Sequence, residues 1–291
     1  MAADNRSIQM VAKLKNIETE ESSINLHDIL LDLCSKDEIF RALSKNNIDS
    51  INKFQKPAES GELNIAAPLG VRPALAASLA ENMPVVVIVP SAKDAADFTE
   101  SLRDWYRGNP QDIAQLEAWE TLPHERLSPR ADTVASRISV FRRLKHPEEG
   151  SSLFGPIRVL VLPVRSLIQP VVSGLGDVDP LVFECGKELS ITDATKRLVE
   201  NAYTRVDLVM ERGEFAVRGG IIDVFSPTMT HPVRIEFFGD EIDTMKQFHA
   251  SDQRTYGNNI EKLWATPCRE LQLTEEICKR ARSLIGVIPN A

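Results

Sequence analysis

The spacing of apolar residues changes along this chain, and each spacing predicts a different element. Leu26, Ile29, Leu30 and Leu33, then Ile39, Phe40 and Leu43, recur at helical intervals and predict an amphipathic helix or helix pair. A polar, turn-rich stretch follows over 46–62. Pro73 then suits the first turn of a helix through Leu75, Leu79 and Ala80. Pro84 to Pro90 is apolar throughout, which predicts a buried parallel strand, and Arg158–Leu162 reads as a second. Between them, Ser91 can cap a helix that turns Ala95, Phe98 and Leu102 inward. Beyond the proline-punctuated loop Trp119–Pro129, a helix over Thr133–Leu144 places Val134, Ile138 and Phe141 on one side, with Arg137 and Arg142 exposed. Strands separated by helices predict an open, largely parallel sheet.

From Ser173–Asp179 the pattern changes. Leu181–Glu184 predicts a short strand and Ile191–Asn201 a helix capped by Ser190 or Thr192. Tyr203–Arg254 then alternates β-branched and aromatic residues with charge, between turn-forming Gly and Pro. A first hairpin turning at Glu211–Glu214 would set Asp207 opposite Arg218 and Leu208 opposite Val217. Val206, Leu208, Met210, Phe215 and Val217 then face inward, and Arg205, Asp207, Ala216 and Arg218 outward, with Val209 the exception. A second pairs Val233–Phe238 with Glu241–Phe248 around Gly239-Asp240, burying Val233, Ile235, Phe237 and Ile242. The expected result is a one-sided antiparallel sheet. After Gln253 the chain reads as helical or irregular, anchored by Trp264 and Leu271.

Composition narrows the function. Hydrophobic content of 43% and charged content of 26% over 291 residues are those of an ordinary soluble protein of about two domains. A net charge of −8 argues against a large phosphate-gripping footprint, leaving at most a local patch of Arg137, Arg142 and Arg143. Cys34, Cys185, Cys268 and Cys278 form no C-x-x-C and predict reduced thiols, with no metal site. No apolar run is long enough for a membrane span, and the N-terminus lacks a signal peptide's apolar core. The histidines are isolated in sequence, His124 being the most interesting. Asp240-Glu241-Ile242-Asp243 imitates a D-E-x-D helicase box but sits in and after a hairpin turn. No catalytic constellation emerges.

The segments VMERGEFAVRGGIIDVFSP, RIEFFGDEID and SDQR resemble the N-terminal UvrB-like module of bacterial transcription-repair coupling factors. Weaker likeness extends upstream through WETLPHERLSP, ASRISVFRRL and VLVLPVRSLIQP. The resemblance implies an α/β fold: a degenerate helicase-like parallel-sheet domain with an inserted α+β domain of antiparallel hairpins. It divides the chain into a disordered segment 1–25, the α/β domain 26–178, the insert 179–255, and a segment 256–291 returning to the first domain.

It also implies a motor domain that has lost its nucleotide site. A phosphate-cradling loop needs G-x-x-x-x-G-K-[ST]. The corresponding stretch is Ala67-Pro68-Leu69-Gly70-Val71-Arg72-Pro73-Ala74, which keeps Gly70 and offers Arg72 but has no lysine. No cofactor is expected in this chain, since ATP and Mg²⁺ belong to a downstream motor in the family. The implied partner is UvrA, with RNA polymerase and DNA engaged by other parts of the family protein, in the cytoplasm. Arg205, Asp207 and Arg218 are the implied UvrA-binding residues. Read alone, the same cluster is a solvated cross-strand ion pair. UvrB carries an arginine where this chain has Ala216, so the contact set is not identical. Two other readings stand beside this one: a UvrB-type helicase subunit with residual ATP and DNA binding, and a nucleic-acid-binding protein.

Overall fold

The computed structural model describes residues 65, 67–121, 128–272 and 275–284. The helix pair read from Leu26 to Leu43, the segment 1–25 and His124 lie outside the described residues. The described chain forms two compact units, one of residues up to Val85 with Glu100–Pro110, the other of Val86–Thr99 with Gln111 onward.

In the first unit, a single 3₁₀ turn at Leu69–Val71 runs directly into α1 (Arg72–Ala80). Pro73 lies in the first turn of the helix, where its missing N–H would have had no helical acceptor anyway. Small side chains, Ala74, Ala76, Ala77 and Ala80, make the buried face.

In the second unit, β1 (Val85–Val89), β3 (Val159–Pro163) and β2 (Ile113–Gln115) form a sheet in that order, with β2 parallel to β3. The central strand β3 is buried at every position, as its continuous apolar run predicts. β1 departs from that expectation: Val86 and Ile88 are 60% and 51% exposed. It is an edge strand, and its alternate side chains meet no covering layer among the described residues. α2 (Ala92–Trp105) opens in a capping box, Ser91 Oγ accepting from the Asp94 N–H (3.2 Å) and Asp94 Oδ2 accepting from the Ser91 N–H (3.1 Å). α3 (Ala131–Lys145) packs Val140 against Ala114, Leu160 and Leu162. Its Val134 and Ile138 meet Phe154, Leu175 and Trp264. A short α4 (Val164–Ile168) follows β3.

β4 (Leu181–Glu184) pairs antiparallel with β11 (Lys262–Ala265), Val182 opposite Trp264. The expectation of a helical or irregular tail after Gln253 is therefore corrected. Lys262–Ala265 is too short to announce itself, and it becomes a strand because β4, some eighty residues earlier, offers it an edge. Trp264 is buried, but Leu271 is 49% exposed. A last helix, α6, spans Glu275–Leu284.

Between β4 and β11 lie α5 (Ile191–Glu200) and a six-stranded sheet. In order, its strands are β10 (Thr255–Tyr256), β9 (Glu241–Phe248), β8 (Val233–Phe238), β7 (Ile221–Val224), β6 (Glu214–Arg218) and β5 (Thr204–Arg205). Ser190 caps α5 by accepting from the Asp193 N–H at 3.0 Å. The helix lays Ala194 and Leu198 on Phe215, Ile222, Ile235 and Met245 to form the main core. Burying each such large side chain contributes about 1.5–3 kcal/mol.

The β8–β9 hairpin has the expected limits, with a register shift at Glu236/Phe237 and a positive φ of 64° at Gly239. The acids of Asp240–Asp243 thus sit in and after a turn, not at the end of a parallel strand. The first hairpin is corrected. β6 pairs antiparallel with β7 through Gly219-Gly220, and β5 runs parallel to β6 for two residues only, Thr204 opposite Glu214 and Arg205 opposite Phe215. Leu208 and Met210 are consequently exposed and Val209 is fully buried, the reverse of the expected faces, while Phe215 is buried as expected. The sheet is not one-sided either. Val209 packs with Ala216, Phe225 and Phe248 in a small core on its second face.

α5 ends in a left-handed Schellman turn, Tyr203 N–H bonding Leu198 O and Ala202 N–H bonding Val199 O, both at 3.0 Å. Ala202 occupies the position that glycine usually fills, with φ at +64°. Ala202→Gly is expected to raise stability by about 1 kcal/mol, because relief of left-handed strain exceeds the added chain entropy. Chemical denaturation would show this as a higher midpoint at unchanged slope. A lower midpoint would contradict it.

Candidate functional site

The candidate site is built where β5 and β6 leave the sheet. Tyr203, fully packed, anchors its start by donating its hydroxyl to Thr266 O at 2.8 Å. Burial raises the tyrosine's pKa well above its ordinary value. The backbone then enters β5 through Thr204 N–H to Gly213 O (2.8 Å) and leaves through Val206 N–H to Phe215 O (2.9 Å). The turn into β6 is shaped by Glu214, whose Oε2 accepts from the N–H groups of Met210 and Glu211, each at 2.8 Å. Gly213 completes it at φ +86°, where a Cβ would stand 3.2 Å from Cys268 Sγ.

Arg205, Asp207 and Arg218 come together here, lining one open depression with Val206 and Val217. All three charged residues are exposed. Their proximity does not arise from the cross-strand register expected. Arg218 instead donates Nη2 to the backbone carbonyl of Asp207 at 2.6 Å. The Asp207 carboxylate and the Arg205 guanidinium have no intramolecular partner among the described residues. The expected Asp207–Arg218 ion pair is therefore absent, and the face presents two guanidinium groups and one carboxylate to solvent. Ala216 lies just inward, buried in the small core with Val209. A long side chain there would have to displace the 206–210 segment, so the face is built without an arginine at that position.

The expected basic patch does not exist. Arg137 is 0% exposed: Nε binds Glu270 Oε1 at 2.6 Å and Nη1 donates to Glu117 O at 2.8 Å. Its guanidinium also lies 5.2 Å from the Trp119 ring centroid. Arg143 donates to the carbonyls of Gly155, Pro156 and Gln111, and burial lowers its pKa. Arg142 is half-buried, 3.9 Å from Glu148. Spacing carried the warning: residue 137 lies three after Val134 and four before Phe141, on the face assigned to the core.

The stretch around Gly70 and Arg72 coils into the 3₁₀ turn, and Arg72 Nε turns back toward Ala67 O at 3.4 Å. No group of three or more potential metal ligands occurs among the described residues. His231 and His249, isolated in sequence, meet at 5.6 Å between ring centroids, and His249 stacks on Tyr256 at 4.2 Å. This contact corrects the expectation of separate histidines. It arises because β9 and β10 fold back together beside the start of β8.

The family profile of the UvrB interaction domain matches residues 181–270, which include the whole candidate site. The chain is 46% identical over 231 residues to a transcription-repair-coupling factor of Mycobacterium bovis, covering 79% of this chain and 18% of that protein. It is 31% identical over 237 residues to one of Escherichia coli, covering 79% of this chain and 20% of the relative. With one of Bacillus subtilis it shares 34% over 152 residues, 52% of this chain and 12% of the relative. The matched part of the chain thus spans about a fifth of the length of the first two.

Proposed function

Since residues 181–270 are a UvrB interaction domain, in a chain of the transcription-repair-coupling factor family, we propose that its work is to recruit UvrA to RNA polymerase stalled at a DNA lesion. The observation that carries this reading is the placement of Arg205, Asp207 and Arg218 on one open face inside the matched domain. Two exposed guanidinium groups, one of them without an intramolecular partner, suit acidic groups on a protein partner. In this reading RNA polymerase and DNA would be engaged outside these residues, and the setting would be the cytoplasm. No helix among the described residues is long and apolar enough to cross a membrane. Mixed with purified UvrA, the chain should co-migrate on size exclusion as a stoichiometric complex. Separate elution at micromolar concentrations of both would contradict the proposal.

The chain acts by binding, not catalysis. The helicase-subunit alternative requires a phosphate cradle, and the 67–74 stretch offers a closed turn with Pro73 buried in its helix. Equilibrium dialysis is expected to give an ATP Kd weaker than about 1 mM with Mg²⁺ present. A micromolar Kd lost in Arg72→Ala would contradict this. With Arg137 and Arg143 committed internally, duplex DNA should bind weakly and without sequence preference.

A further inference from the structure

Gln253 breaks two local rules at once. Its φ is +62°, a left-handed conformation that glycine adopts freely and a γ-substituted side chain does not. Its amide oxygen is buried and accepts no hydrogen bond among the described residues. A glycine would avoid both costs, so the side chain has a use that outweighs them.

That use is visible in its other end. Nε2 donates to Ala250 O at 2.8 Å and to Val209 O at 3.2 Å, joining the loop after β9 to a segment 44 residues earlier. The backbone of Gln253 is itself held. Its N–H bonds His249 O at 2.8 Å, and its carbonyl faces Arg234 Nη1 at 3.4 Å. Arg234 is fixed in turn by a bidentate pair with buried Asp223, at 2.7 and 2.9 Å, which raises the arginine's pKa. The glutamine therefore reaches from the rigid middle of the sheet to the 206–210 segment. β5 ends at Arg205, and the segment is otherwise held at its two ends, by Val206 N–H to Phe215 O and Met210 N–H to Glu214 Oε2, with Val209 its one fully buried side chain. It carries Asp207, whose carbonyl orients Arg218.

We infer that Gln253 is a positioning residue of the docking face, its amide holding the Val209 carbonyl so that Arg205, Asp207 and Arg218 stay presented together. The inference rests on the docking role proposed for that face.

Gln253→Gly, made in the full chain, removes the amide and the backbone strain together, so a general loss of stability is not built into the test. Three readouts are taken: melting temperature, amide hydrogen exchange across 206–210 and across β8–β9, and affinity for UvrA beside parent and Arg218→Glu. The expected result is a melting shift within about 2 °C, with exchange across 206–210 faster by about tenfold or more and β8–β9 unchanged. UvrA affinity should fall by about tenfold. Unchanged exchange across 206–210, or equal acceleration in β8–β9, would overturn the inference. So would faster local exchange with parental UvrA affinity while Arg218→Glu binds weakly. If Arg218→Glu binds like the parent, the docking role itself fails, and the positioning inference falls with it.

Discussion

Glu270→Ala is expected to lower stability by about 3–5 kcal/mol, because it leaves the buried Arg137 guanidinium without its counter-charge. The carboxylate does more than neutralise Arg137. Its Oε1 also accepts from Trp119 Nε1 at 2.8 Å, so one oxygen ties the loop after β2 and helix α3 to the segment that follows β11. Arg137 has little alternative, being enclosed by Trp119 and Phe141 with one Nη1 bond to Glu117 O. Burial raises the pKa of Glu117 itself, with Asp132 and Glu120 adding to the shift. Urea unfolding measures the loss. The double replacement Arg137→Met/Glu270→Leu should recover much of it, since an ion pair removed whole leaves no buried charge. A Glu270→Ala variant within about 1 kcal/mol of the parent would contradict this account of the pair.

Charge reversal at the docking face should have the largest effect on binding. Arg205→Glu and Arg218→Glu are each expected to weaken UvrA binding by a factor of about ten or more, repulsion adding to the lost contact. Neither should unfold the protein. Arg205 has no internal partner among the described residues, and Arg218 gives up a single bond to the Asp207 carbonyl, about 1 kcal/mol. Phe215→Ala is the contrasting control. Fully buried beneath α5, Phe215 should cost roughly 3 kcal/mol or more of stability when truncated.

The parts of this fold that were legible in sequence are those decided locally. Ser190 and Ser91 announce their helices because capping needs only the next turn. The β8–β9 hairpin follows from Gly239-Asp240 between two alternating runs. The errors came where distant chain decides. Alternation alone places the hairpin turn at Glu211–Glu214. Yet a Gly-Gly pair is itself a strong hairpin signal, and Gly219-Gly220 is the turn that joins the antiparallel pair. β5 could not be read as parallel to β6 because its two-residue pairing leaves no periodic trace. Arg137 is charged yet occupies a position on the apolar face, and that position decides its burial. Arg205, Asp207 and Arg218 do share a face, through a backbone carbonyl instead of an ion pair. Gln253 was beyond reach, since its role depends on a backbone angle and on Val209 far away in sequence.

The central claim, that this face docks UvrA, is tested most directly by calorimetric titration of UvrA with the parent chain and with Arg205→Glu/Arg218→Glu at physiological salt. The account predicts saturable binding by the parent and a loss of about a hundredfold or more in the double variant, with melting nearly unchanged. Equal affinity of the two proteins for UvrA would contradict it.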